Sequence, residues 1–156
     1  MTRRTLFFIS VGFAAALAQD AYWPQWRGPT SAGMAPKARN LPVKWSETEN
    51  ILWKVKLPSW SAATPVVWGD TIYVTTAEEG FVNPTYDTKQ LRRAPEQKSD
   101  KIFLLALQRK DGKEKWRVEV DTGNELHRKQ NSSSPSPITD GKHVWVMTGH
   151  VRMGCW

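Results

Sequence analysis

The sequence contains one pattern twice, as Thr64–Val74 and as Ser136–Val146, and the two copies align without a gap 72 residues apart. Each copy has a small hydroxyl residue, a proline, apolar residues, a turn centred on glycine, and an alternating strand that ends in an aromatic residue and a valine. The turn residues of the two copies are Pro65, Gly69, Pro137 and Gly141. A repeat of this length that is built from strands indicates a propeller or a solenoid. Two such units predict a scaffold and reveal no reaction by themselves.

The N-terminal segment has the composition of a secretory signal peptide, which we place at residues 1–18. Basic Arg3 and Arg4 precede the apolar run Leu6–Leu17, and Ala18 completes a small-x-small cleavage site. The apolar run is shorter than the roughly 20 residues that a transmembrane helix needs. The sequence therefore predicts export to a periplasmic or extracellular compartment and no transmembrane span. A buried N-terminal helix is the alternative, and the paired arginines leave the export route open.

The composition limits the classes of protein that this chain can belong to. There is one cysteine, Cys155, so no intramolecular disulfide can form although an oxidising compartment would permit one. Nine tryptophans exceed ordinary usage, and because each buries a large area they indicate aromatic plates packed between layers of sheet. The net charge is +7, but basic and acidic residues alternate in Lys110–Lys115. This pattern predicts a solvated face and no nucleic-acid partner.

Residues 19–50 contain prolines too often for a helix and predict an extended N-terminal arm. Apolar or alternating runs then predict short antiparallel strands at Ile51–Leu57, Thr64–Val67, Thr71–Thr76, Ile102–Leu107, Lys115–Val120 and within Ser136–Val146. Turns at Trp68-Gly69-Asp70 and at Lys110–Lys113 join the hairpin strands. The predicted fold class is all-β, with antiparallel four-stranded blades, about two of which lie in residues 51–149.

Two segments fall outside this pattern. Residues 77–100 form a polar insertion, which is either a disordered surface loop or a functional one. Residues 150–156 do not resemble a further strand of the repeat. Because two blades leave open sheet edges, we expect self-association through those edges. We also expect the chain to be a fragment: an N-terminal piece of a longer protein, a truncated gene product, or a chain whose tail is out of register.

The segment Ala106–Trp116 resembles the tryptophan-docking motif of the quinoprotein-type, or pyrroloquinoline-quinone-like, β-propeller repeat, Ala-x-Asp-x-x-Thr-Gly-Lys-x-x-Trp. The matching residues are Ala106, Gly112, Lys113 and Trp116. Gln108 and Asp111 replace the usual Asp and Thr of the motif. The resemblance implies that Gly112 makes the turn and that Trp116 stacks between neighbouring blades.

The N-terminal arm also resembles this family, at Trp23–Pro29, Leu41–Ser46 and Ile51–Lys54, in the manner of its secreted bacterial members. Quinone-dependent dehydrogenases of the superfamily bind pyrroloquinoline quinone (PQQ) and Ca²⁺ through acidic and amide residues, often with adjacent cysteines over the cofactor. This sequence has no Cys-Cys pair, and two blades supply only part of a set of convergent oxygens. No cofactor is evident from the residues, and PQQ and Ca²⁺ are expected only if the chain belongs to such an enzyme.

His127, Lys129 and Asn131 form the candidate binding loop, because they precede a repeat strand at the face where propellers present their binding loops. A plain surface loop is the alternative. His143 lies beside Trp145 and is expected to point outward. No spacing of His, Cys or carboxylates indicates a metal site, and no catalytic residue is predicted.

The sequence therefore predicts an exported, non-catalytic β-propeller repeat scaffold for binding or protein interaction. One alternative is the N-terminal part of a PQQ-dependent dehydrogenase. A further alternative is a scaffold in outer-membrane protein assembly, because a lipoprotein of that system has the same propeller. That protein class needs a lipid-accepting cysteine directly after the signal peptide, where this sequence has Gln19.

Overall fold

A computed structural model describes residues 22–36, 38–39, 41–78, 101–127 and 130–156. The predicted signal peptide and residues 79–100 of the predicted insertion lie outside these residues. The described part of the chain forms ten strands: β1 (Tyr22–Trp23), β2 (Val66–Trp68), β3 (Thr71–Ala77), β4 (Ile102–Gln108), β5 (Glu114–Asp121), β6 (Leu126–His127), β7 (Gln130–Asn131), β8 (Ile138–Thr139), β9 (Val144–Met147) and β10 (Met153–Cys155). In these residues we find no helix of the length and hydrophobicity that a membrane span requires.

Strands β1 to β5 form one antiparallel sheet in chain order. Its longest register joins β3 to β4, from Thr71 opposite Gln108 to Ala77 opposite Ile102. Strand β4 is an unbroken apolar run apart from its last residue, and side chains on both of its faces are buried. A short apolar run of this kind is typical of a strand that is packed on both sides. β4 is therefore an internal strand of the first repeat, between β3 and β5.

The second repeat has a smaller sheet, in the order β10-β9-β8, and β6 and β7 form a separate two-stranded sheet. Both sheets are antiparallel, so the predicted all-β antiparallel class is confirmed. Strand β10 lies in the residues 150–156 that the sequence did not indicate as a strand. It pairs with β9 through Met153–Met147 and Cys155–Trp145.

The core has two parts, which lie on the two faces of β4. On one face, Ile102 and Leu104 pack with Val120 and with Val144 and Val146 of β9. On the other face, the buried residues are Val74, Leu105 and Leu107, with Leu57 and Ile72 packed against them. The second repeat therefore covers one face of the first repeat's sheet, and the segment that contains Leu57 lies on the opposite face.

Glycine positions the two equivalent hairpin turns. Trp68 pairs with Thr71, which leaves Gly69 and Asp70 as a two-residue turn, and Gly69 has a φ of 56°. A two-residue hairpin turn needs a positive φ, which glycine adopts without steric cost. Gly141, the equivalent residue of the second repeat, has a φ of 89°. The placement of Trp68 in the turn was wrong, because its backbone belongs to β2.

Two other strand predictions need correction. Ile51–Leu57 alternates as a strand would, but the structure assigns it no strand, because no neighbouring strand edge in the described residues pairs with it. Strand β3 continues one residue into the predicted insertion, since Ala77 is fully buried and pairs with Ile102. The predicted arm contributes β1, which pairs with β2.

Candidate functional site

The two repeats meet along a polar seam in which equivalent residues bond to each other. Three hydrogen bonds join residues that lie 72 positions apart: Ser61 Oγ to Ser133 O (2.9 Å), Ala62 N to Ser134 Oγ (3.4 Å) and Thr64 N to Ser136 Oγ (2.9 Å). The sequence offset of the repeat is therefore also the offset of its contacts. In two of these bonds a backbone N–H of the first repeat donates to a serine hydroxyl of the second, and in the third a serine hydroxyl of the first repeat donates to a backbone carbonyl of the second.

Asn131 organises the second repeat's side of the seam. Its Nδ2 donates to the Trp60 carbonyl (3.0 Å), and its Oδ1 accepts from Ser133 Oγ (2.7 Å) and Ser134 Oγ (3.0 Å). The side chain is buried, so these bonds replace those that water would make. The amide is thus engaged in holding the loop to the first repeat.

The other two residues of the candidate binding loop are His127 and Lys129. The backbone of His127 pairs with that of Gln130 in the β6–β7 sheet. Lys129 lies outside the described residues. His127 and Asn131 therefore lie in the two paired strands β6 and β7, and the binding role of the loop stays a prediction. His143 is exposed just before β9, with its Nδ1 3.2 Å from Asp140 Oδ2.

Tryptophan rings lie directly on glycines at four places in the described residues: Trp23 on Gly28, Trp53 on Gly112, Trp68 on Gly141 and Trp156 on Gly154. The Trp68–Gly141 contact connects the hairpin of the first repeat to the turn of the second. A Cβ built on Gly141 would lie 2.1 Å from Trp68 Nε1, so only glycine fits beneath the ring. This contact is thus a second point, apart from the polar seam, at which the two repeats touch.

The tryptophan-docking motif Ala106–Trp116 forms a hairpin, but the tryptophan ring on its turn glycine is that of Trp53 and not that of Trp116. Ala106 is fully buried in β4 and pairs with Trp116 in β5, and Gly112 turns the chain with a φ of 72°. The ring on Gly112 belongs to Trp53, whose Nε1 donates to Arg109 O at 2.9 Å. Trp116 is 39% exposed, and its ring lies 5.9 Å from that of Tyr73.

Lys113 completes the matched residues of this motif and lies on the exposed side of the hairpin. Its backbone N–H donates to Asp111 Oδ1 (3.1 Å), and its Nζ lies 3.6 Å from Asp111 Oδ2. Both side chains are largely solvated, so this ion pair contributes little to stability. A role for Trp116 between blades stays a prediction.

A cluster around Asp121 was not found in the sequence. Asp121 ends β5, and its Oδ2 accepts from Thr148 Oγ1 at 2.6 Å, while Arg152 Nη1 lies 3.1 Å from its Oδ1. Burial of the carboxylate opposes ionisation, but the bonds from Thr148 and Thr122, with the charge of Arg152, outweigh burial and lower the pKa of Asp121. Charged and polar groups from both repeats therefore meet at one buried carboxylate.

His150 extends this cluster towards Ser132. Its Nδ1 lies 3.6 Å from Asp121 Oδ2, and its Nε2 lies 3.3 Å from Ser132 Oγ. The order serine–histidine–aspartate is that of a catalytic triad, but Ser132 is fully buried and its Oγ also contacts the Glu125 backbone. The hydroxyl is closed to a substrate, so the cluster acts as a clamp between the repeats. No local motif identifies it, because its members lie far apart in the sequence.

The described residues do not fit a Ca²⁺ site for a quinone cofactor. Among them, no three His, Cys, Asp or Glu side chains lie close enough to share a metal ion. Asp121, the buried carboxylate, already faces Arg152 and His150, whereas Ca²⁺ needs several convergent oxygens. These residues support no step that involves PQQ.

A cleft of about 390 Å³ lies between the Val55–Pro58 segment and the first sheet. Phe103, Leu105 and Leu107 supply its apolar lining. At its rim, Arg117 Nε donates to Glu114 Oε1 at 2.7 Å, and this bond lowers the pKa of Glu114. The cleft thus marks the face of the first repeat that the second repeat does not cover.

Successive antiparallel sheets, joined by a repeat-to-repeat seam and by tryptophan–glycine contacts, define a β-propeller repeat protein. The chain belongs to the PQQ-like repeat family: the family model described as outer membrane protein assembly factor BamB matches residues 35–154. The resemblance to pyrroloquinoline-quinone-like repeats is confirmed by this match. No curated protein and no solved structure matches the chain.

Proposed function

We propose that the protein is an exported, non-catalytic β-propeller repeat scaffold that binds other proteins. The observation that carries this proposal is the use of polar side chains at the seam. Side-chain hydrogen bonds join one repeat to the next, as expected of a structural framework. They are formed by Asn131, Asp121 and Thr148. Export is supported by the predicted signal peptide at residues 1–18.

Outer-membrane protein assembly is the process that the family match favours. The matching family is described as an outer membrane protein assembly factor, and the match covers residues 35–154. The chain departs from the lipoprotein class of that system at one position. Gln19 stands where that class has its lipid-accepting cysteine. We therefore propose a periplasmic scaffold that contacts assembly components through exposed loops and strands.

A photo-crosslinking experiment in bacterial cells tests this proposal. The full chain is expressed with a photoreactive amino acid in place of Ile138 or Met147, which are exposed side chains of the second repeat. Val146, which is buried beside Met147, is the matched control position. We expect a mature protein that begins near Gln19 in the periplasmic fraction, with crosslinks to outer-membrane assembly components from the exposed positions only.

Two results would contradict the proposal. Retention of the uncleaved chain in the cytoplasm would exclude export. Crosslinks that are equally strong from Val146 and from Ile138 would show capture of an unfolded chain instead of binding to a folded scaffold. Appearance of a quinone absorbance on addition of PQQ and Ca²⁺ to the purified protein would instead support the dehydrogenase alternative.

A further inference from the structure

The hairpin that joins β9 to β10 has a valine where hairpins of its length favour glycine. The Thr148 N–H donates to the Arg152 carbonyl at 2.9 Å, so residues 149–151 form a three-residue loop. The third residue of such a loop adopts the left-handed region, in which glycine carries no steric penalty. Val151 holds this position with a φ of 63°. A β-branched side chain is strained there, because its Cβ crowds the backbone.

The Val151 side chain makes no packing contact in the described core that offsets this strain. It is 79% exposed, and it belongs to neither of the two core clusters. The other non-glycine residues with a positive φ in the described part of the chain are Arg27, Ser31 and Asn50, none of which is β-branched. Contacts of the neighbouring residues must therefore hold the turn in its strained form.

The Asp121 carboxylate supplies these contacts on both sides of Val151. His150 Nδ1 lies 3.6 Å from Asp121 Oδ2, and Arg152 Nη1 lies 3.1 Å from Oδ1. Thr148, which begins the turn, donates its hydroxyl to Oδ2 at 2.6 Å. The carboxylate is buried in β5, so its attraction for a cation is screened less than at the surface. One carboxylate thus fixes the turn at three residues around the strained valine.

In this position the turn covers Ser132, the residue that follows Asn131 of the candidate binding loop. The Gly149 N–H donates to Ser132 O at 2.8 Å, and a Cβ on Gly149 would lie 2.8 Å from Ser132 Cα. His150 Nε2 lies 3.3 Å from Ser132 Oγ. Ser132 is fully buried under these contacts. Movement of the turn away from Asp121 would therefore expose the hydroxyl and the carbonyl of Ser132.

We propose that the turn of residues 148–152 is a two-state clasp, closed over Ser132 by the Asp121 carboxylate and opened by the strain at Val151 when that charge is lost. The ionic contacts favour the closed state, and the left-handed conformation of Val151 opposes it. Two opposing contributions of similar size leave a small free-energy difference between the states, which a change of charge can reverse. The proposal needs no partner protein and is independent of the proposed scaffold function.

The groups around Asp121 set the direction of this switch. Arg152 and, when protonated, His150 face it from the turn, and on the side of β4 Lys101 is paired with Glu119 at 3.1 Å. Burial of Asp121 opposes its ionisation, but its hydrogen bonds and the charge of Arg152 outweigh burial and lower its pKa. The clasp therefore stays closed at neutral pH and opens in acid, below the ordinary value of about 3.9 for an aspartate.

Hydrogen exchange measured by NMR on the full chain tests the clasp at single amides. The N–H groups of Thr148 and Gly149 are bonded only while the turn is closed, and the Val144 N–H in β9 reports opening of the whole sheet. We expect Asp121→Asn to accelerate exchange at Thr148 and Gly149 by about tenfold or more, relative to Val144, because a charge-assisted bond is lost.

A second substitution separates strain from an ordinary structural role of Asp121. Val151→Gly removes the penalty of the left-handed conformation, so adding it to Asp121→Asn should restore most of the lost protection. Val151→Thr is the matched control, because it is β-branched and of similar size and should restore none. A structural role without strain predicts that neither substitution at residue 151 restores protection.

The single substitutions at residue 151 test the strain without removing Asp121. At neutral pH, Val151→Gly should slow exchange at Thr148 and Gly149 several-fold relative to Val151→Thr, and it should keep the turn closed at an acid pH that opens wild type. Equal exchange in the glycine and threonine variants would overturn the proposal. Unchanged exchange at Thr148 and Gly149 in Asp121→Asn would overturn it as well.

Discussion

The backbone N–H of Thr64 donates a 2.9 Å hydrogen bond to Oγ of Ser136, and these two residues occupy the same position in successive repeats. The bond therefore joins this position of the first repeat to the equivalent position of the second. Ser61 and Ser133 repeat this relationship three residues earlier. Equivalent residues of the two repeats therefore contact each other along the seam, because both repeats enter their first strand with the same extended backbone.

Loss of the Ser136 hydroxyl should weaken this seam. Ser136→Ala leaves the partly buried N–H of Thr64 without its acceptor, and we expect a loss of about 1–2 kcal/mol in the free energy of unfolding. Ser136→Thr keeps the oxygen and is the matched control. Urea denaturation followed by tryptophan fluorescence measures both variants. Equal stability of Ser136→Ala and Ser136→Thr would show that the bond contributes nothing.

Asn131 distinguishes a structural role from a binding role in its loop. Asn131→Ala removes the acceptor of two serine hydroxyls and the donor to Trp60 O in a buried position, so we expect a loss of about 2–4 kcal/mol. Gln130→Ala, at an exposed neighbouring position, should change stability by less than about 0.5 kcal/mol. Thermal unfolding of the two variants is the measurement. A stable Asn131→Ala protein that has lost partner binding would assign the residue to recognition instead.

The Asp121 cluster makes stability depend on pH in a defined direction. Because the pKa of Asp121 is lower in the folded protein, its ionised form stabilises the fold above the unfolded value of about 3.9, and this contribution is lost as the pH falls through the folded pKa. Asp121→Asn should therefore cost about 2 kcal/mol near neutral pH, and its difference from wild type should shrink in acid. Arg152 and His150 face the same carboxylate.

The free energies of unfolding of wild type and Asp121→Asn, measured between about pH 2 and pH 7, check this prediction. This interval includes the pH range in which ordinary carboxyl groups titrate. Thr148→Val is the companion variant, since it removes the hydroxyl bond to Asp121 but keeps the carboxylate and its charged neighbours. It should show a reduced but still visible pH dependence. Parallel profiles for wild type and Asp121→Asn would contradict the assignment of the clamp to Asp121.

Local signals in the sequence account for most of the first sheet. The apolar run of β4 and the glycines at 69 and 112 predicted strands and turns whose causes are local: burial of apolar side chains and a positive φ. The limits of this reasoning appear at Ile51–Leu57. Alternation predicts that a segment can be a strand, but a strand exists only where another edge pairs with it.

The contacts of the candidate site depend on packing between the repeats more than the strands and turns of the first sheet do. Gly141 was predicted as a turn residue, but no local pattern places the Trp68 ring on it, because that contact follows from how the first hairpin meets the second. Asp121 and His150 likewise come together only when the repeats are joined. The equal offset of the two copies was the available signal, since it predicts that equivalent residues can meet in register.

The most direct test of the repeat-to-repeat junction compares two equivalent glycine substitutions. Gly69→Ala and Gly141→Ala both place a Cβ on a turn with positive φ, so both carry the same kind of backbone cost. At Gly69 nothing lies within 4 Å of the added Cβ, whereas at Gly141 the Trp68 ring lies at 2.1 Å. The account predicts that Gly141→Ala lowers the free energy of unfolding by about 1–3 kcal/mol more than Gly69→Ala, and that truncation of Trp68 removes the difference. Equal losses in the two variants while Trp68 is present, or a difference that persists after Trp68 is truncated, would contradict the junction described above.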